Sequence, residues 1–357
     1  MKKWKVAMAG VGNWPQTMYL PQMARVRQAE LVALCARTEE KLNAVADRFG
    51  VPERYTDYRE MLRRCDFDIL MNITPIQLHH EINMAAMRAG KHVYSQKPFA
   101  LTVAEATEQI ETARAMGVRL SCAPVHLLRP SIRKARSLIQ KGTIGKVTFA
   151  RISCSHGGPE YFQFRDEDPS WFYRPGAGAL MDMGVHALDQ LTAVLGPAKE
   201  LFCMATIGEP ERTIRSGALD GRKIKADMLP DGYIISLDFG GGTIGVADTG
   251  FFQKAGKRGG FEIYGTQGTI SFEAEGEGLE VYIDRPELGL RGWLKPMAEE
   301  EPEEFFQCRA LEDLIEALEN HRPVGLPPEH ARHVIEMMER IPDSIREKRA
   351  VSLATRF

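Results

Sequence analysis

The 357-residue sequence holds no Cys-x-x-Cys pair, no apolar run approaching the roughly 20 residues that span a bilayer, and no surplus of basic charge. Its six cysteines (Cys35, Cys65, Cys122, Cys154, Cys203 and Cys308) are scattered, several of them inside apolar, strand-like runs where a reduced thiol serves as a small hydrophobe. A disulfide scaffold is therefore excluded, and a reducing, cytoplasmic compartment is expected. Lys and Arg number 46 against 48 Asp and Glu, a net charge of −2, which offers no basic stripe for a nucleic acid. The local cluster Arg133, Lys134 and Arg136 is spread along a helical pattern and reads as a solvated face. The opening residues, Met1 to Gly10, start basic, but their apolar stretch is too short for a signal peptide. No repeat and no low-complexity segment interrupts the chain. What is present is ordinary globular material, 44% hydrophobic and 26% charged, with length enough for two cores at about 150 residues per domain.

The first third alternates two kinds of pattern. Short apolar runs at Lys5–Ala9, Leu31–Ala36, Asp68–Ile73, His92–Tyr94 and Val118–Cys122 read as strands. Between them, Glu39–Phe49, Ile76–Ala89 and Val103–Met116 carry helical periodicity, the last opened by Thr102 with Glu105 three residues on, a capping box. Alternation of this kind implies right-handed crossovers and a parallel sheet with helices on both faces, ending near Pro124. Beyond it the spacing predicts a helix at Ser131–Gln140 and a strand at Lys146–Ser155. An aromatic-rich irregular stretch at His156–Gly178 and a helix at Met181–Leu195 follow. Strands are then expected at Glu200–Ile207, Tyr233–Phe239, Thr243–Asp248, Phe261–Tyr264 and Thr269–Phe272, joined by Gly-rich turns that suit antiparallel pairing. Helices at Glu303–Glu319 and Pro328–Glu347 close the chain. The expected domains are 1–124, α/β, and 125–357, α+β.

Gly10-Val11-Gly12 follows the first strand directly, with Asn13 and Trp14 leading to a helix near Pro15. Without a Cβ the backbone turns sharply and approaches a pyrophosphate, whose charge meets the free amides of a helix N-terminus. Pro15 stands where a third glycine is usual, and proline is acceptable in a first helical turn. At the end of the second strand, Cys35-Ala36-Arg37-Thr38 offers no carboxylate for ribose hydroxyls. Arg37 and Thr38 suit a 2′-phosphate, which favours NADP over NAD; alternatively Arg37 stacks on adenine and Thr38 only caps the next helix.

Three further stretches carry a resemblance. Thr74-Pro75-x-x-x-His79, Gly90-Lys91-His92-Val93-Tyr94-Ser95-Gln96-Lys97-Pro98, and Gly176 to Asp189 with Asp182-x-x-x-His186 resemble the Gfo/Idh/MocA oxidoreductases, the family of glucose–fructose oxidoreductase and inositol dehydrogenase. The resemblance implies an N-terminal Rossmann doubly wound parallel sheet and a C-terminal α+β domain with a large, mainly antiparallel sheet. It also implies hydride transfer between NADP or NAD and a hydroxyl or ketone of a sugar, sugar derivative or cyclitol. Carried over residue by residue, the active site is Lys97, Asp182 and His186, and these also contact substrate. Thr74, Pro75, His79, Gln96 and Lys97 join Gly10, Gly12, Asn13, Trp14, Arg37 and Thr38 around the cofactor.

The chemistry of these residue types agrees. A carbinol gives up hydride only as its hydroxyl proton is taken, which needs a base, and the reverse reaction needs a cationic or protic donor at the carbonyl oxygen. His186 suits the base, Asp182 its orienting or substrate-binding carboxylate, and Lys97 the polariser or a proton relay. Gln96 stands where the family has Glu, and Val125 to Pro130 departs from the family's second-domain entry, so that His126 or Arg129 either faces substrate or packs. Gly184 removes bulk for the nicotinamide or a neighbouring helix. In the aromatic stretch, Trp171 and Tyr173 offer ring faces to a sugar, and His156, Arg165 and Asp166 offer polar groups, unless the aromatics anchor the loop. His330 and His333, three apart on a late helix, read as a solvated face, and no metal is expected. The two-faced strand Tyr233–Phe239 implies a second subunit on one side, hence a homodimer or homotetramer. Two other functions fit the same motifs: redox-neutral glycoside cleavage with a retained cofactor, and non-catalytic sugar or cofactor binding.

Overall fold

The computed structural model describes residues 3–162, 168–256, 260–272, 278–296 and 306–357. The chain divides into two compact units, Met1–Leu128 with Glu304–Ile335, and Arg129–Glu303 with Glu336–Phe357. Where one boundary after residue 124 is expected, the chain passes between the compact units three times, after residues 128, 303 and 335. The physical reason lies in helix Arg309–Glu319, whose Leu311, Leu314 and Ile315 are buried in one core with Val6, Met8, Tyr19 and Tyr94. An amphipathic face goes where apolar surface awaits it, whatever its distance in sequence.

The first unit is a six-stranded parallel sheet. In chain order it comprises β1 (Trp4–Ala9), β2 (Ala29–Cys35), α1 (Glu39–Phe49), β3 (Glu53–Tyr55), α2 (Tyr58–Arg64), β4 (Ile69–Asn72), α3 (His79–Arg88), β5 (His92–Ser95), α4 (Val103–Ala115) and β6 (Leu120–Cys122). The strand order is β3-β2-β1-β4-β5-β6. Val6 to Ala9 of β1 and all of β4 are buried, as a parallel sheet covered on both faces requires. The register pairs Val6 with Ile69 and Met8 with Met71, so β1 and β4 end side by side where the strand order reverses. That reversal opens the crevice in which such sheets hold ligands. Apart from the helix expected near Pro15, every strand and helix expected here is present, and β3 and α2, too short and too polar for a periodicity signal, are added. Thr102 caps α4 by accepting from the Glu105 amide at 3.2 Å, while Glu105 accepts from the Leu101 amide at 2.9 Å.

The second unit is built on a nine-stranded sheet. Its elements are α5 (Pro130–Gln140), β7 (Val147–Ser155), α6 (Val185–Leu195), β8 (Glu200–Thr206), β9 (Glu211–Thr213), β10 (Lys223–Lys225), β11 (Gly232–Gly240), β12 (Thr243–Gly250), β13 (Gly260–Gly265), β14 (Gly268–Phe272), β15 (Leu279–Arg285) and β16 (Leu290–Leu294). Helix α7 (Arg309–Glu319) lies in the first unit, α8 (Pro328–Glu347) carries the chain from the first unit into the second, and β17 (Val351–Ser352) ends it. The sheet order is β16-β15-β14-β13-β7-β12-β11-β8-β17. Its pairs are antiparallel except β7 with β12, whose long intervening connection permits a parallel partner. Along β11, Tyr233, Ile235 and Leu237 are buried and Ile234 is 48% exposed, a period of two. Helix α6 packs on β7 and β12. The fold is α/β followed by α+β with a large, mainly antiparallel sheet. All six cysteines are free, and burial pushes the thiols of Cys35, Cys203 and Cys308 up to about 12, which leaves them inert hydrophobes.

Candidate active site

In the first unit the glycine turn is built as the sequence requires. Gly10 has φ +103°, and a Cβ there would lie 2.4 Å from the Ile73 carbonyl oxygen, so only glycine lets β1 leave the sheet beside β4. The Gly10 amide donates to Cys35 O at 2.9 Å and the Ile73 amide to Ala9 O at 2.8 Å. A Cβ at Gly12 would meet nothing within 4 Å, which leaves open space beside the turn. The expected helix from Pro15 is a π-helical turn, Pro15–Tyr19, followed by a 3-10 turn, Leu20–Arg25. Gln16, which sequence reasoning passed over, closes the turn by donating to Val11 O at 2.9 Å and Gly12 O at 3.3 Å. Arg37 and Thr38 lie exposed after β2; Thr38 occupies the N-cap position of α1 without a side-chain cap bond.

A buried amide network holds the ends of β4 and β5. Asn72 donates to Asn83 at 2.8 Å, and Asn83 donates to Ser95 and Gln109, each at 2.9 Å. Gln109 donates to Phe99 O at 3.0 Å, and Thr74 Oγ1 donates to Asn72 at 2.6 Å. His79 is fully buried and spans the two turns, with Nε2 2.8 Å from Thr74 O and Nδ1 2.7 Å from Pro98 O. Burial holds its pKa below the ordinary value against the pull of those two carbonyls, and the charge of Lys97 adds to the lowering. His79 therefore ties the Thr74-Pro75 turn to the Lys97-Pro98 turn, which is joined by a cis peptide bond. Sequence reasoning missed Asn83 and Gln109; the signal was an amide on the apolar face of each helix.

Gln96 is buried, and both ends of its amide find partners. Nε2 donates to Tyr19 Oη at 2.5 Å, Oε1 accepts from the Lys97 amide at 2.9 Å, and Tyr19 Oη lies 2.8 Å from Tyr94 Oη. The amide donates to the Tyr19 hydroxyl, whereas a carboxylate here would accept from it. Lys97, half-buried, follows at the carboxyl edge of β5.

In the second unit, Asp182 stands on a π-helical turn, Leu180–Gly184, that runs into α6, where His186 follows one turn later. The Val185 amide reaches back to Leu180 O, the five-residue span of a π bulge, a feature that often marks a functional turn. Both side chains are half-buried. A Cβ at Gly184 would lie 2.7 Å from Leu180 Cδ1 and 3.4 Å from Thr249 Cγ2, so the bulk it spares is taken by its own turn and β12, not by another helix. Asp182 has a partner that spacing did not reveal: His156 Nε2 lies 3.8 Å from Asp182 Oδ2. His156 Nδ1 accepts from the Gly158 amide at 2.9 Å, which puts the proton of the neutral ring on Nε2, facing the carboxylate. The ring stacks on Phe251 with centroids 5.0 Å apart.

Comparison with known proteins decides the family. Residues 4–123 match the oxidoreductase family with an NAD-binding Rossmann fold, and residues 132–271 match the GFO/IDH/MocA C-terminal domain. The 1,5-anhydro-D-fructose reductase of Ensifer adhaerens is 30% identical over 250 residues, 69% of each chain. The chain is a Gfo/Idh/MocA oxidoreductase. Over 352 residues, 98% of each chain, this oxidoreductase is also 23% identical to the myo-inositol 2-dehydrogenase of Thermotoga maritima. Its fold matches an NAD-binding oxidoreductase from Klebsiella pneumoniae with a TM-score of 0.85 and 22% identity, covering 99% of both chains.

The Gfo/Idh/MocA chain thus binds NAD(P) in its Rossmann unit, and the cofactor fits the residues present: Gly10 permits the turn, and the space at Gly12 lets a pyrophosphate approach the backbone. The remaining expected residues divide between the units. His126 is buried on a 3-10 turn, His126–Leu128, in the first unit. Trp171 belongs to the second, 44% exposed and stacked on Phe172 at 3.8 Å, while Tyr173 is buried and anchors the loop. Arg165 and Asp166 lie outside the described residues. His330 and His333, expected on a solvated face, are instead buried, because α8 turns this side toward the protein interior. Among the described residues no group of three His, Cys, Asp or Glu is placed to hold a metal ion.

Proposed function

We propose that this oxidoreductase interconverts a hydroxyl and a ketone on a sugar, sugar derivative or cyclitol, with His186 as proton acceptor, Asp182 as orienting and substrate-binding carboxylate, and Lys97 as polariser of the substrate oxygen. The observation that carries the reading is the Asp182 turn. A π bulge presents one carboxylate with His186 four residues on and with the Nε2–H of His156 facing it, an arrangement suited to gripping a hydroxyl and moving its proton. Bound NAD(P) supplies the hydride acceptor or donor. Lys97 is held for its part by the amide network beneath its turn, which fixes the backbone on both sides of it. The two relatives named above as acting on myo-inositol and 1,5-anhydro-D-fructose support the substrate class. Trp171 and His126 complete the substrate contacts.

NADP is the preferred dinucleotide, since Arg37 and Thr38 lie exposed after β2 with no carboxylate between Cys35 and Thr38. Arg37→Asp should reverse that preference; an unchanged ratio of NADP to NAD activity defeats the assignment. The working form is a homodimer or homotetramer in which a second copy covers the sheet face carrying Met204, Ile234 and Ile244, all exposed. Register places Met204 opposite Ile234 on adjacent strands, with Ile244 farther along the same face, opposite Asp238. A monomer by light scattering at micromolar concentration rules this out. Among the described residues no helix is long and apolar enough to cross a membrane, and the near-balanced charge disfavours a nucleic-acid partner. The reducing compartment read from the free cysteines remains cytoplasm.

The deciding experiment is a panel of sugars and cyclitols, including myo-inositol and 1,5-anhydro-D-fructose, with NAD and NADP, read by nicotinamide absorbance. Lys97→Ala and His186→Ala should each lower turnover by at least about 10². Near-normal rates in either variant remove that residue from the chemistry, and sugar release without an absorbance change replaces the dehydrogenase reading by glycoside cleavage.

A further inference from the structure

The second unit contains a buried charge cluster that the chemistry above does not use. Arg212, on the three-residue strand β9, has a side chain only 1% exposed. Its Nη1 donates to Glu160 at 2.8 Å and to Gly157 O at 3.1 Å, and its Nη2 donates to Asp231 at 2.8 Å and to Phe251 O at 2.9 Å. Asp231 is completed by the amides of Gly208 and Glu209 at 2.8 and 2.9 Å, and Tyr173 donates to Glu160. Taking such charges out of water costs several kcal/mol per ion, repaid only when geometry is good and the arms find partners, as Nη1 and Nη2 do here while the buried Nε finds none. Packed hydrophobic residues would fill the same volume without that cost, so the cluster calls for a directional role.

Its four acceptors show what is directed. Gly157 is the residue after His156, and Phe251 is the ring on which His156 stacks. The His156 backbone is itself paired, its amide to Gly250 O and its carbonyl to the Gln253 amide, both at 3.1 Å. One planar guanidinium therefore fixes the chain leaving His156 and the platform beneath its ring, while Gly158 fixes its tautomer. The remaining freedom of His156 is small, and its Nε2–H is left facing Asp182 across 3.8 Å. A hydroxyl oxygen seated about 2 Å to one side of the line joining them lies about 2.8 Å from each, accepting from His156 and donating to the carboxylate.

We propose that Arg212 is a positioning residue that orients His156, so that His156 and Asp182 together grip a substrate hydroxyl. The inference rests on the functional reading above for Asp182. A lysine keeps the charge but cannot make four fork-shaped bonds, so Arg212→Lys lets His156 swing. Phe251→Leu, which leaves the ion cluster intact, removes the platform and should have the same consequence. With the panel compound that the wild-type enzyme turns over fastest, each variant should raise KM by about tenfold or more with a smaller change in kcat. In a His156→Ala background the Arg212→Lys effect should vanish. In parallel, nitrogen NMR of the imidazoles should show His156 as the single Nε2–H tautomer in the wild type and as a tautomer mixture in both variants.

An Arg212→Lys penalty of equal size with and without His156, or a His156 tautomer unmoved in both variants, overturns the proposal. Full activity of Asp182→Asn, or no turnover of any panel compound, overturns the functional reading instead, and the tautomer measurement then decides the role of Arg212 by itself.

Discussion

Two glycines two residues apart should respond to the same methyl group in opposite ways. Gly10→Ala puts a Cβ 2.4 Å from Ile73 O and 2.7 Å from its carbonyl carbon, at φ +103°. Both neighbours are backbone, held by the Ile73 amide bond to Ala9 O, so neither gives way without parting β1 from β4. The dihedral strain alone costs about 1–3 kcal/mol, and with the collision a loss near 3 kcal/mol is expected. For a folding unit of this size, 1 kcal/mol moves the melting point by roughly 2–4 °C, so Gly10→Ala should melt roughly 6–12 °C lower. At Gly12 the added carbon meets no protein atom within 4 Å, and φ lies outside the range reserved for glycine. There Gly12→Ala should leave the melting point unchanged or raise it slightly, since a less flexible unfolded chain is worth about 0.4–1 kcal/mol. The methyl does occupy the space assigned to the pyrophosphate, so the Kd for NADH and NADPH should rise by tenfold or more, about 1.4 kcal/mol. Thermal melts with and without nucleotide, together with fluorescence titration, read both quantities. Unchanged nucleotide affinity in Gly12→Ala would refute the placement of the cofactor on this turn, and a Gly10→Ala protein as stable as the wild type would refute the steric reasoning.

Three other substitutions test the surrounding argument. Gln96→Glu buries a carboxyl whose ionised form is costly out of water; its stability penalty should be small near pH 4 and grow to about 1–3 kcal/mol by pH 8, and a pH-independent melting difference contradicts this. Burial alone raises the pKa of Asp189 well above the ordinary value, so the folded state binds the extra proton and stability falls as pH rises from about 3.8 toward the folded value. Asp189→Asn should flatten that part of the pH–stability curve, and an unaltered slope in denaturant titrations would show that Asp189 does not titrate differently on folding. Leu314→Ala should cost about 2.7–5 kcal/mol, because Leu314 is fully buried in the core of the first unit. If instead only the second unit is destabilised, as read by hydrogen exchange in β1 and β4 against β7 and β12, the assignment of residues 304–335 to the first unit is wrong.

The sequence by itself determined the parts that depend on neighbours in the chain. Apolar runs of three to six residues set the buried parallel strands, and the spacing of Asp182 and His186 set them one helical turn apart. Gly10 announced a turn that only glycine makes. Short polar strands such as β9 and β10 left no periodicity to read, and the two π-helical turns differ from α-helix by hydrogen bonds that residue types do not encode. What only the tertiary structure decided depends on residues far apart. Gln96 finds the acceptor for its amide in Tyr19, 77 positions away. Arg212 collects Gly157, Glu160, Asp231 and Phe251 from separate segments, and His156 becomes a partner of Asp182 only when β7 delivers it there. The second exchange of chain, which returns α7 to the first core, has the same origin. Local propensity and pattern fix elements within a few residues, whereas burial and the pairing of buried polar groups are satisfied by whatever the closed fold brings near, and no spacing along the chain records that.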